Sequence, residues 1–119
     1  MRLAAAAFAA FIITGVADAR TWRIEAGPNA QQELQRALLD ARPGDTVRLE
    51  RGRYDLNQGL SLDVDRVTIR GAGEQRSILS FTNQRRGAEG LLVTSDGVVL
   101  RDFAVENARG DYLVAFQRP

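Results

Sequence analysis

Apolar residues recur along this chain with two different periods. Within "PNAQQELQRALLDARPGD", Leu34, Ala37, Leu38 and Ala41 fall at helical spacing. Asn29 stands where an N-cap belongs, with Gln32 three residues on as its capping-box partner. Arg42-Pro43-Gly44-Asp45 stops the run, so the pattern predicts one helix of about 12 residues. Ahead of it, "TWRIEAG" reads as a short strand with Trp22 and Ile24 on one side. After Asp45 the pattern shortens to β-prone runs: "TVRLE", "RYDL", "LSLDV", "RVTIRG", "SILSF", "GLLVT", "VVLRDFAVE" and "YLVAF". Gly, Asp, Asn and Arg separate these runs, and no second helical pattern intervenes.

A repeat runs through them. "LSLDVDRVTIRG" aligns with "LLVTSDGVVLRD" at an interval of 31 residues (91 − 60), matching Leu60 to Leu91, Asp65 to Asp96, Val67 to Val98 and Arg70 to Arg101. Leu92-Val93 and Leu113-Val114 lie 21 apart, and the Val-x-aliphatic runs at Val47 and Val67 lie 20 apart. A basic step of 20–22 residues, lengthened once by the polar stretch "TNQRRGAEG", predicts stacked β coils. In such a stack, like residues meet about 4.8 Å apart and aliphatic side chains form inward rows. Gly71 and Gly73 then mark corners, and the helix covers the end of the stack, where unpaired strand edges are a hazard.

Two other readings compete. "VTIRGAGEQR" begins like a dinucleotide-binding loop, but Arg76 replaces the third small residue and a strand-like run follows where a helix is required. An antiparallel sandwich is the stronger rival, because Asp96-Gly97 between "LLVTS" and "VVLRDF" is a hairpin signal.

The motifs Ala41-Arg42-Pro43-Gly44-Asp45, Val47-Arg48-Leu49, Gly52-Arg53-Tyr54 and Val67-Thr68-Ile69-Arg70-Gly71 occur in that order. Together they resemble the N-terminal cap and first coils of the pectin-lyase-like proteins, which include exported bacterial β-helix-repeat proteins. The resemblance covers most of residues 30–111. It implies an all-β fold, a right-handed parallel β-helix of about three coils with an N-terminal α-helical cap. Members of that family are usually much longer, so the resemblance also implies a truncated form of a longer protein. None of the family's catalytic motifs is matched, and no catalytic residue is carried over.

The first residues change the picture of where the protein works. Arg2 precedes the uncharged apolar run Leu3–Val16, and Ala17-Asp18-Ala19 fits a small-x-small cleavage site. A fourteen-residue run is short for a membrane span, which takes roughly 20 residues. Residues 1–19 therefore read as a signal peptide, residues 20–45 as strand and capping helix, and residues 46–119 as β coils. The expected product starts at Arg20, is secreted or periplasmic, and has no stable membrane span after cleavage.

Composition removes much of the remaining chemistry. The chain has neither His nor Cys, and all sixteen of its basic residues are Arg. That excludes a Ser-His-Asp triad, a thiol nucleophile, a disulfide, a zinc site of the usual ligands and a lysine Schiff base. A net charge of +1 gives no reason to expect a nucleic-acid partner.

The residues with candidate chemistry are few. Arg70 and Arg101 stack in the 31-residue register, and two guanidinium groups side by side can hold the carboxylates of an acidic polysaccharide. Arg85 and Arg86 in the inserted stretch extend that surface, unless Asp102 or Glu74 neutralises the pair. Asp63 and Asp65 read as a solvated face. Asp102, Glu106 and Asp111 contain oxygens that calcium would need, without regular ligand spacing, so no metal site is assigned. Trp22 and Tyr54 read as packing residues before sugar-stacking ones, and Asn107 as a buried corner amide. The expectation is a non-catalytic binding or surface-interaction module, able to self-associate through an open C-terminal coil. The alternative is a polysaccharide lyase or glycoside hydrolase acting on acidic polysaccharide.

Overall fold

The computed structural model describes residues 18–107; most of the expected leader, Asp111 and the final apolar run at 112–116 lie outside them. In chain order the described elements are β1 (Thr21–Ile24), α1 (Ala30–Asp40), β2 (Thr46–Leu49), β3 (Gly52–Asp55), β4 (Gln58–Leu62), β5 (Thr68–Arg70), β6 (Ser77–Ser80), β7 (Arg86–Val93), β8 (Val99–Arg101) and β9 (Ala104–Glu106). The strands form three sheets: β1-β2-β5-β8, β3-β6-β9 and β4-β7. Every strand pair among the described residues is parallel.

Alternation along each strand sends one set of side chains inward. Trp22, Val47, Ile69 and Leu100 stand opposite one another across the four-stranded sheet, Tyr54, Leu79 and Val105 across the second sheet, and Leu60 with Leu91 and Leu62 with Val93 in the third. Val47, Tyr54, Leu62, Leu91 and Val93 are wholly buried. The same core takes in Ala30, Leu34, Ala37 and Leu38 from α1.

The expected fold class is corrected by this architecture. The chain is not an all-β right-handed parallel β-helix of about three coils. The described residues form one short helix and three separate small sheets of four, three and two strands, and the helix supplies part of the common core. The physical reason is uneven spacing. Register partners advance from Thr21 to Thr46, to Thr68 and then to Val99, steps of 25, 22 and 31 residues; the last two match the expected basic and lengthened steps, while the first departs from both and contains α1. The expected polar loop is also largely strand: β7 begins at Arg86 and pairs with β4 through an irregularity between Gln58 and Leu60.

The 31-residue register itself is found, with Leu60 opposite Leu91, Ile69 opposite Leu100 and Arg70 opposite Arg101. The sandwich is excluded by the parallel pairing, and Asp96-Gly97 makes no hairpin because β7 and β8 lie in different sheets. Gly97 instead turns the chain at φ +71°. The capping box is absent too: Asn29 makes no side-chain cap hydrogen bond.

Helix glutamines take over a strand's role. Gln31 Oε1 accepts from the Asn57 and Gln58 backbone N–H groups at 3.0 and 3.1 Å. Gln35 accepts from Ser61 N at 3.1 Å and donates to Ser61 O at 3.2 Å. These side chains satisfy the edge of β4 opposite to β7, which a bare edge would offer to another chain.

Two corners are tightly built. At Gly71 a Cβ would run into the Asp102 carbonyl oxygen and the Cβ atoms of Phe103 and Ser77, so only glycine fits. At the helix-to-β2 corner, Asp45 is 5% exposed. Its Oδ1 accepts from Arg20 N at 2.9 Å, and its Oδ2 accepts from Arg42 N at 2.9 Å and from the Trp22 indole at 3.1 Å. Burial pushes this carboxyl upward, but the backbone donors of Arg42 and Arg20, the indole and the Arg20 charge outweigh it and hold the pKa below 3.8.

Candidate functional site

The outward positions of the four-stranded sheet repeat a short pattern. Thr21-Trp22-Arg23, Thr46-Val47-Arg48, Thr68-Ile69-Arg70 and Val99-Leu100-Arg101 lie in register. In each, the middle residue turns inward and the outer two face away. The result is a row of four arginines, Arg23, Arg48, Arg70 and Arg101, beside a row of Thr21, Thr46, Thr68 and Val99. Rungs of a sheet stand about 4.8 Å apart, so each guanidinium has a like charge as its nearest lateral neighbour.

Acids lie beside Arg23, Arg48 and Arg101 and leave Arg70 without one among the described residues. Glu50 lies 2.9 Å from Arg23 Nη1 and 3.9 Å from Arg48 Nε. Asp102 accepts from Arg101 Nε at 3.0 Å. Among the described residues Arg70 has no ion pair, and Glu74 does not supply one. Arg48 Nε is buried without a hydrogen-bond acceptor among them. Glu50 Oε1 at 3.9 Å is too far to accept from this N–H, so its burial without a hydrogen bond is costly. Two adjacent planar forks, flanked by the Thr46 and Thr68 positions, suit carboxylate, sulfate or phosphate oxygens.

Arg70 and Arg101 are thus brought together as expected. Arg23 and Arg48 were missed, although the recurring Thr-x-Arg triplet marks them once β1 and β2 are aligned with the later strands. Arg85 and Arg86 are not part of this row: Arg86 opens β7, in a different sheet, Arg85 directly precedes it, and both line a pocket of about 300 Å³ with Asn57 and Gln58. Beside them Gln84, 3% exposed, directs its amide nitrogen at the carbonyl oxygens of Arg86, Gly87 and Glu89 at 2.8, 3.0 and 3.0 Å. Those contacts fix the path into β7 and give Gln84 a structural role that its place in a polar stretch concealed.

The other singled-out residues are engaged structurally. Tyr54 is fully buried, its hydroxyl 2.6 Å from Glu50 O and 2.8 Å from Ile24 O. Trp22 donates to Asp45, and the Arg20 guanidinium lies 3.8 Å over its ring. Asp63 accepts from the Thr94 hydroxyl and Asp65 from Asp96 N, both at 2.9 Å, tying two corners 31 residues apart. Asn107 is exposed rather than buried; it turns the corner after β9 at φ +59° and donates to Thr82 Oγ1 at 2.7 Å. The amide there faces solvent because the corner lies at the outer edge of the three-stranded sheet.

The described members of the calcium set are engaged with arginines. Asp102 pairs with Arg101 and Glu106 with Arg53, and Asp111 lies outside the described residues. Among the described residues no group of three or more His, Cys, Asp or Glu side chains is placed to hold a metal ion. Among them, too, no helix is long and apolar enough to cross a membrane. Compared with family models, curated proteins and solved structures, the chain matches none, so the resemblance to pectin-lyase-like proteins rests on its sequence motifs alone.

Proposed function

We propose that this chain is an exported, non-catalytic binding module that grips an acidic polysaccharide along the arginine row of its four-stranded sheet. The observation that carries the reading is the in-register row Arg23–Arg48–Arg70–Arg101, with only Glu50 and Asp102 paired against it among the described residues. An extended polymer with a carboxylate on each unit meets repeated forks at a fixed spacing. The absence of His, Cys and Lys from the sequence supports a binding role over the commonest covalent and acid–base chemistries.

The test is binding of polygalacturonate and alginate to the unsubstituted protein, Arg70→Ala and Arg48→Ala, over a salt series. Loss of one central guanidinium is expected to weaken binding by about tenfold, the scale of one charge-assisted contact of about 1.5 kcal/mol. Binding should also weaken with added salt. Equal binding by all three proteins ends this reading. Shortening of the polymer during the assay replaces it with a lyase or hydrolase.

A further inference from the structure

We propose that Asp45 is a preformed socket for the α-ammonium group created when the leader is cut between Ala19 and Arg20. The proposal rests on the export reading above, and adds to it a consequence for the folded protein. Hydrolysis of the Ala19–Arg20 amide consumes one water. Ala19 leaves as a carboxylate on the leader, and Arg20 Nα remains as an ammonium.

The geometry points to this use of Asp45. Arg20 N already donates to Asp45 Oδ1 at 2.9 Å. The residue is held there from its other end, because Thr46 N donates to Arg20 O at 2.9 Å. The carboxylate is 5% exposed and oriented by Arg42 N and the Trp22 indole, so it does not need to reorganise to receive a cation. A pocket of about 590 Å³, lined by Asp18, Arg20, Trp22, Asp40, Arg42, Pro43 and Asp45, opens beside it. Water there can serve the remaining N–H donors of the ammonium. Cleavage thus turns a hydrogen bond from a neutral amide donor into an ion pair between an ammonium and a shielded carboxylate.

The neighbouring charges are mixed. Asp40 at the end of α1 favours the ammonium. The Arg20 guanidinium over Trp22, Arg42 in the corner and Arg66, whose carbonyl accepts from Gly44 N, oppose it. Asp18 leaves with the leader. Contact with Asp45 favours the charged amine, so its folded pKa lies above the ordinary value of roughly 7.7–8.0. The stabilisation is therefore fully present below that range and lost as pH rises through the folded value.

The chain offers an unusually clean test, because without lysine the processed protein has a single amine. Every described helix and strand begins at Thr21 or later, so the chain from Arg20 onward retains all of them. That chain is released from a fusion partner cut directly before Arg20, acylated across a pH series, folded and in denaturant, and followed by intact mass. Rates are scaled to their high-pH plateau, which removes any effect of access. The expected result is a folded midpoint above the denatured one, with scaled acylation at pH 8 about tenfold slower in the folded chain. Asp45→Asn should bring the two midpoints together. If that variant does not fold, the folded and denatured midpoints of the unsubstituted chain decide. Identical midpoints overturn the socket and leave the export reading standing. In parallel, the mass of protein exported from the full chain should begin at Arg20. A retained leader or another start overturns the processing step and the export reading with it.

Discussion

Arg53 and Glu106 form a forked ion pair across the whole width of the three-stranded sheet. Nη1 meets Oε2 at 3.1 Å and Nη2 meets Oε1 at 3.2 Å, although β6 lies between β3 and β9. Arg53 Nη2 also lies 3.3 Å from Ser80 Oγ on that middle strand. One side chain therefore stitches the first and last strands of the sheet. Both partners are well exposed, so solvent screens the pair and its worth is about 0.2–1 kcal/mol. A double-mutant cycle of Arg53→Met and Glu106→Gln in urea should return a coupling in that range that shrinks as salt is added. A coupling unaffected by salt would show that packing of the arginine stem, not charge, is what matters.

Gly71 is a steric requirement, which makes a sharper prediction. An added methyl group meets the Asp102 carbonyl oxygen and two side-chain Cβ atoms, and each belongs to a neighbouring strand or corner. Relief requires β5 and the start of β9 to separate. Gly71→Ala is expected to lower stability by about 1–3 kcal/mol, the usual scale of overpacking. Gly44→Ala is the control: a Cβ there meets nothing within 4 Å, and its cost is confined to its φ of +97°. Thermal unfolding of the two variants checks the order, with Gly71→Ala the lower.

Much of this was readable from the chain, and the failures have physical causes. The helix is placed by Leu34, Ala37 and Leu38, whose spacing can only serve one face. The pairing of Arg70 with Arg101 follows from the 31-residue repeat, because a parallel sheet brings equivalent positions together. What local pattern could not show was uniformity. The strands divide among three small sheets where stacked coils with one lengthened step were expected, since loop length between strands is free as long as each strand finds its neighbour. Arg23 escaped because its rung precedes the recognised repeat, and Arg48 because the 20-residue step set Val47 against Val67, whereas Val47 pairs with Ile69 and Arg48 with Arg70. Gln84 escaped because a buried amide and a solvated one look alike in sequence.

The edge of β4 supplies the next prediction. Gln35 holds both backbone groups of Ser61, and Gln31 holds two N–H groups at the strand's start. These contacts are exposed, so water replaces them when they are lost, and Gln35→Ala should cost only about 0.5–1.5 kcal/mol. The larger effect is on association, because the freed edge can pair with another chain. Light scattering of the double variant Gln31→Ala/Gln35→Ala should show concentration-dependent growth that the parent lacks. A monodisperse double variant would mean that the bulk of α1, not its amides, guards the strand.

Tyr54 ties stability to alkaline pH. Burial, followed by the charges of Glu50 and Glu25, raises its pKa from 10.0 to about 12. The folded state thus prefers the neutral phenol, which donates toward the Glu50 and Ile24 carbonyls. With the folded pKa raised, this contribution is complete below pH 10 and is lost as pH climbs through about 12. Tyr54→Phe should cost about 1–2 kcal/mol near neutrality, since the single O–H shared by the Ile24 and Glu50 carbonyls is lost. It should also flatten the decline of stability between pH 10 and 12, which urea unfolding at a series of pH values measures.

The arginine row should show opposite effects on stability and binding. Arg70 stands between Arg48 and Arg101 with no acid of its own among the described residues, so the unliganded sheet carries its repulsion. Removing that charge while keeping a long polar side chain relieves it. Arg70→Gln is expected to raise stability by up to about 0.5 kcal/mol at low ionic strength, a gain that vanishes at 1 M salt, where the screening length falls to about 3 Å. The same substitution should weaken polyuronate binding about tenfold. A residue that costs the fold something and serves only the bound state has that paired signature; a neutralised surface arginine does not. Thermal melts at two salt concentrations, set beside binding isotherms for the same protein, test both halves. If Arg70→Gln lowers stability and leaves binding intact, the guanidinium belongs to the fold and the middle of the row is not a ligand site.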